Sequence, residues 1–337
     1  CAYNAPVLAN KNAWANLYAT GSFIFWRASA DYLAPAFLDN SFSSNPGDLA
    51  NIIFKGKVLE PEFDYKPGYK VGLGYKFHRD RWDLFAEYTR FHQTTHSSHQ
   101  VTPGGQHMHA IWLVFITPVL INEEFGSYKS KWKTDFDILD AEVGRDFFCG
   151  KHLTFRPSLG LRTLWLEQKY DLTYFSLVQD LPVFSNNKSS SWAIGPRFAL
   201  SNTWNLCSSL KIVGDLGISL LHTEDMVTVS QKLPFLLTQG QTSDILYANK
   251  EKISLVKPIL DLSLGLAWGL PLFHEKCAFD LQVSYDYSIY WDQASIQLGH
   301  APIVAPGAPI QVIVGEAARS TGDISVQGLR VTARFDF

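Results

Sequence analysis

Along residues 63–77 apolar and polar side chains alternate without interruption. Phe63, Tyr65, Pro67, Tyr69, Val71, Leu73, Tyr75 and Phe77 hold the odd positions; Asp64, Lys66, Gly68, Lys70, Gly72, Gly74 and Lys76 hold the even ones. A period of two sustained over this length predicts a β-strand with two unlike faces. It is longer than the roughly five or six residues of an ordinary globular strand. After the short turn His78-Arg79-Asp80 the pattern resumes, with Trp82, Leu84, Ala86 and Tyr88 opposite Asp83, Glu87 and Thr89, and Phe85 as the exception. The pair reads as a hairpin with one greasy face and one charged face.

The same unit recurs to the end of the chain. Strands are predicted over 16–28, 63–77, 82–92, 131–148, 153–165, 192–204, 210–220, 256–268, 279–287 and 329–337. Within 131–148 the apolar parity changes from Trp132, Phe136 and Ile138 to Leu139, Ala141 and Val143, which predicts a β-bulge between Ile138 and Leu139. Arg145 falls on the greasy parity near the strand end, where a long side chain can snorkel. Long connections (31–60, 93–130, 171–190, 222–250, 291–321) alternate with short ones. Lipid satisfies no backbone hydrogen bond, so a sheet that crosses it must close on itself. The alternation of long and short connections is that of an outer-membrane barrel. The expected fold class is all-β: a closed antiparallel transmembrane β-barrel of about ten strands, range about 8–12. Residues 1–15 are expected as a periplasmic N-terminal segment and 16–337 as the barrel, with long loops outside and short turns in the periplasm.

Tryptophans support this layout. Trp82, Trp204 and Trp268 lie beside short turns; Trp26, Trp132, Trp165, Trp192 and Trp291 lie toward long connections. Aromatic girdles at the two membrane interfaces are therefore expected. Charged residues make up 18% of the 337, below the roughly 25% of soluble domains. No run of 18 apolar residues predicts a membrane helix. No basic run suggests a nucleic-acid partner, which leaves outer-membrane lipid as the expected one. The first residue is Cys1 rather than Met, as in a mature or trimmed chain.

Parity assigns the lumen. The expected pore-lining residues are Lys66, Lys70, Lys76, Asp83, Glu87, Asp135, Asp137, Asp140, Glu142, Arg156, Arg162, Arg197, Lys211, Asp215, Asp261, Asp280, Asp286, Arg330 and Arg334. Cations and anions nearly cancel and face each other on neighbouring strands. Two readings follow: the charges pair across strands and fill a narrow lumen, or they line water and shape ion flow. On this parity Leu262→Arg is expected to damage assembly, and Asp261→Asn to be mild.

Catalysis is not expected, since no Gly-x-Ser-x-Gly elbow occurs. His92, His96, His99, His107 and His109 cluster among Ser, Thr, Gly and Gln, as in a solvated loop; no metal and no cofactor is expected. Residues 110–121 are too short to span a membrane and too apolar to hang in water. They are expected against the barrel mouth, in the lumen, or as an extension of the next strand. Cys149, Cys207 and Cys277 fall at short connections. Together with Cys1 they map to the periplasmic side, where oxidation is permitted. They are either unpaired turn residues or disulfide-linked, within the chain or to other envelope proteins, and Cys1 is alternatively a lipid-modified terminus.

Several segments also carry a family likeness: YKPGYKVGLGYKF with WDLFAEYTRFH, WKTDFDILDAEVGRDFF with LTFRPSLGLRTLWLEQKY, WAIGPRFALSNTW, and the terminal GLRVTARFDF. They cover most of the predicted strands and little of the loops. In these the chain resembles the Legionella-type pore-forming outer-membrane proteins, which have relatives among chlamydia-like bacteria. The resemblance implies location in the bacterial outer membrane and a porin passing ions and small solutes by passive diffusion. It further implies a homo-oligomer, a trimer, and cysteine cross-linking to neighbouring envelope proteins. The alternative is a closed structural or adhesin-type barrel acting through its surface loops.

Overall fold

The computed structural model describes residues 16–31, 33–39, 56–77, 81–102, 107–113, 125–150, 152–176, 182–207, 209–232, 245–272, 277–299 and 317–337. Cys1 and the expected N-terminal segment 1–15 lie outside the described residues. The strands are, in order, β1 (Leu17–Ala30), β2 (Ala36–Asp39), β3 (Gly56–Leu59), β4 (Lys66–Lys76), β5 (Trp82–Gln100), β6 (His107–Ala110) and β7 (Phe125–Arg145). They continue as β8 (Phe147–Cys149), β9 (Leu153–Ser176), β10 (Pro182–Asn205), β11 (Leu210–Lys232), β12 (Ile245–Leu272), β13 (Cys277–Gly299) and β14 (Ala317–Asp336). Ten of them close an antiparallel ring, β1-β4-β5-β7-β9-β10-β11-β12-β13-β14, sealed by pairing of β14 with β1 and of β7 with β9. β8 continues β7 past Asp146 along the start of β9. The short strands β3, β2 and β6 pair in that order and reach β7 through Met108 and Phe125.

The ring strands are longer than the sequence pattern implied. β9 has 24 residues and β12 has 28, whereas a membrane crossing needs about 9–11. The extra length lies in stretches read above as loops: 93–100, 125–130, 171–176, 182–190, 222–232, 245–250, 291–299 and 317–321 are all strand. His92, His96 and His99 accordingly stand on β5, where His92 and His96 face outward and bonded pairing continues to Gln100.

Most long strands have two zones, clearest on β1, β7, β9 and β14, whereas the outer half of β10 turns Ser185, Asn187, Ser189 and Ser191 inward. In the half nearer the short turns, the outward face is apolar and exposed: Phe23 and Phe25, Leu159 and Leu161, Leu216, Ile218 and Leu220, Leu262, Leu264 and Leu266. The inward face there is polar. In the half nearer the long connections the faces exchange roles. Ile24, Phe91, Phe136, Ile138, Leu164, Leu166, Leu221, Ile259, Ile324 and Val326 point inward and form one buried core. Arg90, His92, Lys133, Lys169 and Lys188 stand on the outward face. The first zone is surrounded by hydrocarbon and the second by headgroups and water, so apolar side chains turn away from the centre in one and toward it in the other.

This exchange replaces the bulge expected at Ile138/Leu139. Pairing of β7 with β5 runs unbroken from Arg145 to Ser127, and with β9 from Gly144 to Ser127. The even residues face inward throughout; what changes at Leu139 is the surrounding medium. Two tryptophans move for the same reason. Trp132 and Trp26 are inside, 1% and 5% exposed, rather than in a girdle. Trp82, Trp204 and Trp268 bound the apolar belt at the short-turn end, and Trp165 and Trp192 at the other. Arg145 reaches along the surface to lie over the rings of Trp82 and Phe147.

Near the short-turn end the wall is thinned by glycine. A Cβ on Gly74 would stand 2.0 Å from the ring of Tyr18, and one on Gly72 2.6 Å from that of Phe85. The two rings stack at 5.6 Å over the bare backbone of β4, which explains why Phe85 broke the parity of its strand.

Candidate functional site in the barrel lumen

At the level of the apolar belt the lumen is crossed by ion pairs. Arg162 of β9 binds Asp140 of β7 through Nε and Nη2, both at 2.7 Å, and reaches Asp261 of β12 through Nη1 at 2.7 Å. β9 and β12 are three places apart round the ring, so this contact spans the interior. Arg197 of β10 donates to the same Asp261 oxygen at 2.5 Å, and Ser288 of β13 to the other at 2.8 Å. Nearer the short turns, Arg156 bridges Asp83 (2.9 Å) and Glu142 (2.7 Å), and the Tyr18 hydroxyl donates to Asp83 at 2.7 Å. Arg330 lies 3.2 Å from Asp215 and 3.3 Å from Asp286. Lys211–Asp280 (2.9 Å), Lys70–Glu87 (3.2 Å), Lys76–Asp336 (3.1 Å) and Arg334–Asp336 (2.8 Å) belong to the same layer. Each of these charges is kept by a partner of opposite sign, as charges withdrawn from bulk solvent must be.

These residues line a cavity of about 870 Å³ that runs from Ile138 and Tyr290 down to Asn16, Phe77, Arg81 and Phe337 at the short-turn end. Above it, side chains of the described residues meet across the lumen. Phe136 of β7 meets Tyr290 of β13 at 5.4 Å between ring centroids; these strands are on opposite walls. Phe91 packs on Phe136 at 6.2 Å and Trp26 on Phe91 at 5.8 Å. One level higher, Gln168 donates across the lumen to the carbonyl of Gln293 at 3.0 Å.

Two chain segments then fold into the outer lumen. The hydroxyls of Tyr170 and Tyr174 donate to the carbonyls of Leu33 and Pro35, each at 2.6 Å, and the Trp112 indole donates to that of Ala34 at 2.8 Å. Ser185 and Gln231 in turn donate to the Trp112 carbonyl at 3.0 and 2.8 Å. The Trp112 ring stands edge-on to Tyr170 at 4.9 Å. Of the apolar stretch 110–121, Trp112 is thus drawn inside the barrel while Ile111 remains 38% exposed, and 114–121 lie outside the described residues.

Sixteen of the nineteen residues expected to line a pore border this cavity. Asp135 and Asp137 do not. They point outward above the belt, where Asp137 binds Arg90 at 2.7 Å and the Tyr88 hydroxyl, and Asp135 binds His92. Their parity was inverted with the supposed bulge. Lys66 faces inward at the long-loop end of β4, 3.6 Å from Asp64, away from the cavity. Two arginines and a serine converge on the Asp261 carboxylate, a charge environment that parity alone did not show. Sequence reasoning missed Phe136 and Tyr290 as closing elements, whereas the stretch 110–121 that contains Trp112 was expected at the barrel mouth or in the lumen as two of its three readings. The usable signal was the parity change itself, which marks where a strand leaves lipid.

Cys149 and Cys207 are exposed thiols at the short-turn end and are not joined to each other. Cys277 begins β13 at the same end, and its side chain lies outside the described residues. The backbone groups of Ser209 and Leu210 hold the Cys207 thiol below its usual range.

A closed barrel with an apolar outer belt, tryptophans at both rims and ion pairs inside at belt level is a β-barrel membrane protein of the outer-membrane type. Over residues 10–337 the chain matches the family described as Legionella pneumophila major outer membrane protein precursor, and it belongs to that family. Among solved structures, the outer membrane protease OmpT from Escherichia coli is similar at 8% identity and a TM-score of 0.40, over 98% of this chain and 99% of that one. A TodX deltaS2S3 mutant monoaromatic hydrocarbon channel is similar at 9% identity and a TM-score of 0.30, over 99% and 93%. The Ralstonia pickettii toluene transporter TbuX is similar at 6% and 0.23, over 99% and 92%. At these values no function transfers. No curated protein matches the chain.

Proposed function

We propose that this outer-membrane protein is a porin-type channel, not an enzyme, that passes ions and small hydrophilic solutes by passive diffusion, and that the conformation described here is its closed state. The observation that carries this reading is the charge-lined cavity. It lies at belt level, reaches the short-turn end, and has nearly balanced charge, which fits weak selectivity between anions and cations. The short-turn end faces the periplasm and the long connections face outside. Passage requires Phe136 and Tyr290 to part and the Leu33–Pro35 and Trp112 segments to withdraw. The same closing contacts favour the second reading, a permanently closed structural barrel.

Planar-bilayer recording with purified protein separates the two. Wild type is expected to give brief, infrequent openings, and the Phe136→Ala/Tyr290→Ala double variant several-fold more current. Silence from both, with each shown to be folded by its heat-modifiable gel mobility, would favour the closed barrel.

Assembly as a homotrimer and cysteine links to envelope proteins, which the family resemblance implies, belong to the same proposal. A membrane-impermeant alkylating reagent is expected to label Cys207 only after the outer membrane is permeabilised; labelling of intact cells would invert the orientation. Because its thiol is shifted down, labelling of Cys207 should persist to lower pH than that of an ordinary thiol of pKa about 8.5. Non-reducing gels of envelopes alkylated before lysis should show high-mass species that collapse on adding thiol.

A further inference from the structure

On the outward face above the belt, Lys133 of β7, Lys169 of β9 and Lys188 of β10 form one cross-strand row. Lys133 is directly opposite Lys169, and Lys169 directly opposite Lys188. Like charges in that relation sit about 5 Å apart at Cβ and destabilise the sheet. Closing the barrel does not require them. One carboxylate serves the row: Glu167 lies 2.7 Å from Lys188 and 3.6 Å from Lys169. The nearby Asp135 is taken by His92, and Lys133 has no ion pair among the described residues. The side chains of Lys169 and Lys188 remain 47% and 48% exposed.

The height of the row is set by tryptophan. Trp165 and Trp192 are paired directly on adjacent strands and mark the outer rim of the belt. Lys169 and Lys188 each stand four residues beyond them, about 13 Å along a strand and about 10 Å in height at a tilt near 40°. That is the depth of lipid headgroups, not of bulk solvent.

We propose that this row is a binding site for the phosphate groups of a phosphorylated glycolipid in the outer leaflet. Three lysines, each about 5 Å at Cβ from the next, bracket one or two phosphates, which would relieve the repulsion that Glu167 only partly offsets. The lipid's acyl chains would then lie against the exposed apolar face below, at Leu159, Leu161 and Phe198. The inference rests on the orientation given above, and not on conduction.

The test is binding of lipid A to the folded barrel in detergent, read by native mass spectrometry. The bisphosphorylated lipid, its dephosphorylated form and inorganic phosphate serve as probes. Lys133→Gln/Lys169→Gln/Lys188→Gln is expected to weaken binding of the bisphosphorylated lipid roughly 100-fold, from three lysines near an anionic headgroup. Lys250→Gln/Lys252→Gln, which also removes outward positive charge, should change it little. Equal loss in both variants, equal binding of the dephosphorylated lipid, or displacement of lipid by inorganic phosphate at matching concentration would each overturn the proposal. Should the triple variant not fold, Lys169→Gln alone is expected to weaken binding about fivefold, and unchanged binding would count against the site. Failure of the site leaves the labelling of Cys207 unaffected, so the two readings fail separately.

Discussion

Arg162→Met should cost about 3–5 kcal/mol of folding stability, the usual result of removing one partner from a buried charge pair. Arg162 is 4% exposed and holds two carboxylates on different walls, Asp140 and Asp261. Methionine keeps much of the volume and none of the donors. Asp261 retains Arg197 at 2.5 Å, whereas the remaining contact of Asp140 with Arg197 is only 3.9 Å. Asp140 therefore bears most of the loss, and adding Asp140→Asn to Arg162→Met should restore at least half of it. Urea unfolding in lipid vesicles provides the measurement. A loss below about 1 kcal/mol, the range of solvent-screened pairs, would mean that water reaches this layer freely and that the lumen is open at its waist.

Leu262→Arg should cost about 2–4 kcal/mol, because an arginine on the lipid face near mid-bilayer has no partner. Leu262 is 41% exposed, in the belt between Trp268 and the rim. The informative control is Ser254→Arg, eight residues along the same face of β12 and directly opposite Glu224. It should stay within about 0.5 kcal/mol, as a surface substitution outside the hydrocarbon does. The same assay decides both. Similar losses at the two positions would place lipid along the whole strand and remove the two-zone description.

The comparison between chain and structure turns on that boundary. By itself the sequence determined the strand period, the greasy and charged parities of the belt, the closure of about ten strands and the long-short order of connections. These follow from local chemistry: side chains alternate across a strand, lipid selects apolar ones, and a sheet in lipid has no free edge. Sixteen inward charges were legible for the same reason.

Only the tertiary structure decided where the medium changes. Ile138 and Leu139 look like a register slip because a local pattern cannot say whether "apolar" means outward to lipid or inward to a core. Asp135 and Asp137 were placed inside by that ambiguity, and Trp26 and Trp132 outside. Nor could the pattern bring Phe136 to Tyr290, Arg162 to Asp261, or Trp112 under Tyr170. Those contacts join strands on non-adjacent walls, or a loop to the lumen, and they exist only after the ring closes to a particular width. Parity assigns a side chain to the interior; the diameter and stagger of the finished barrel decide what it meets there.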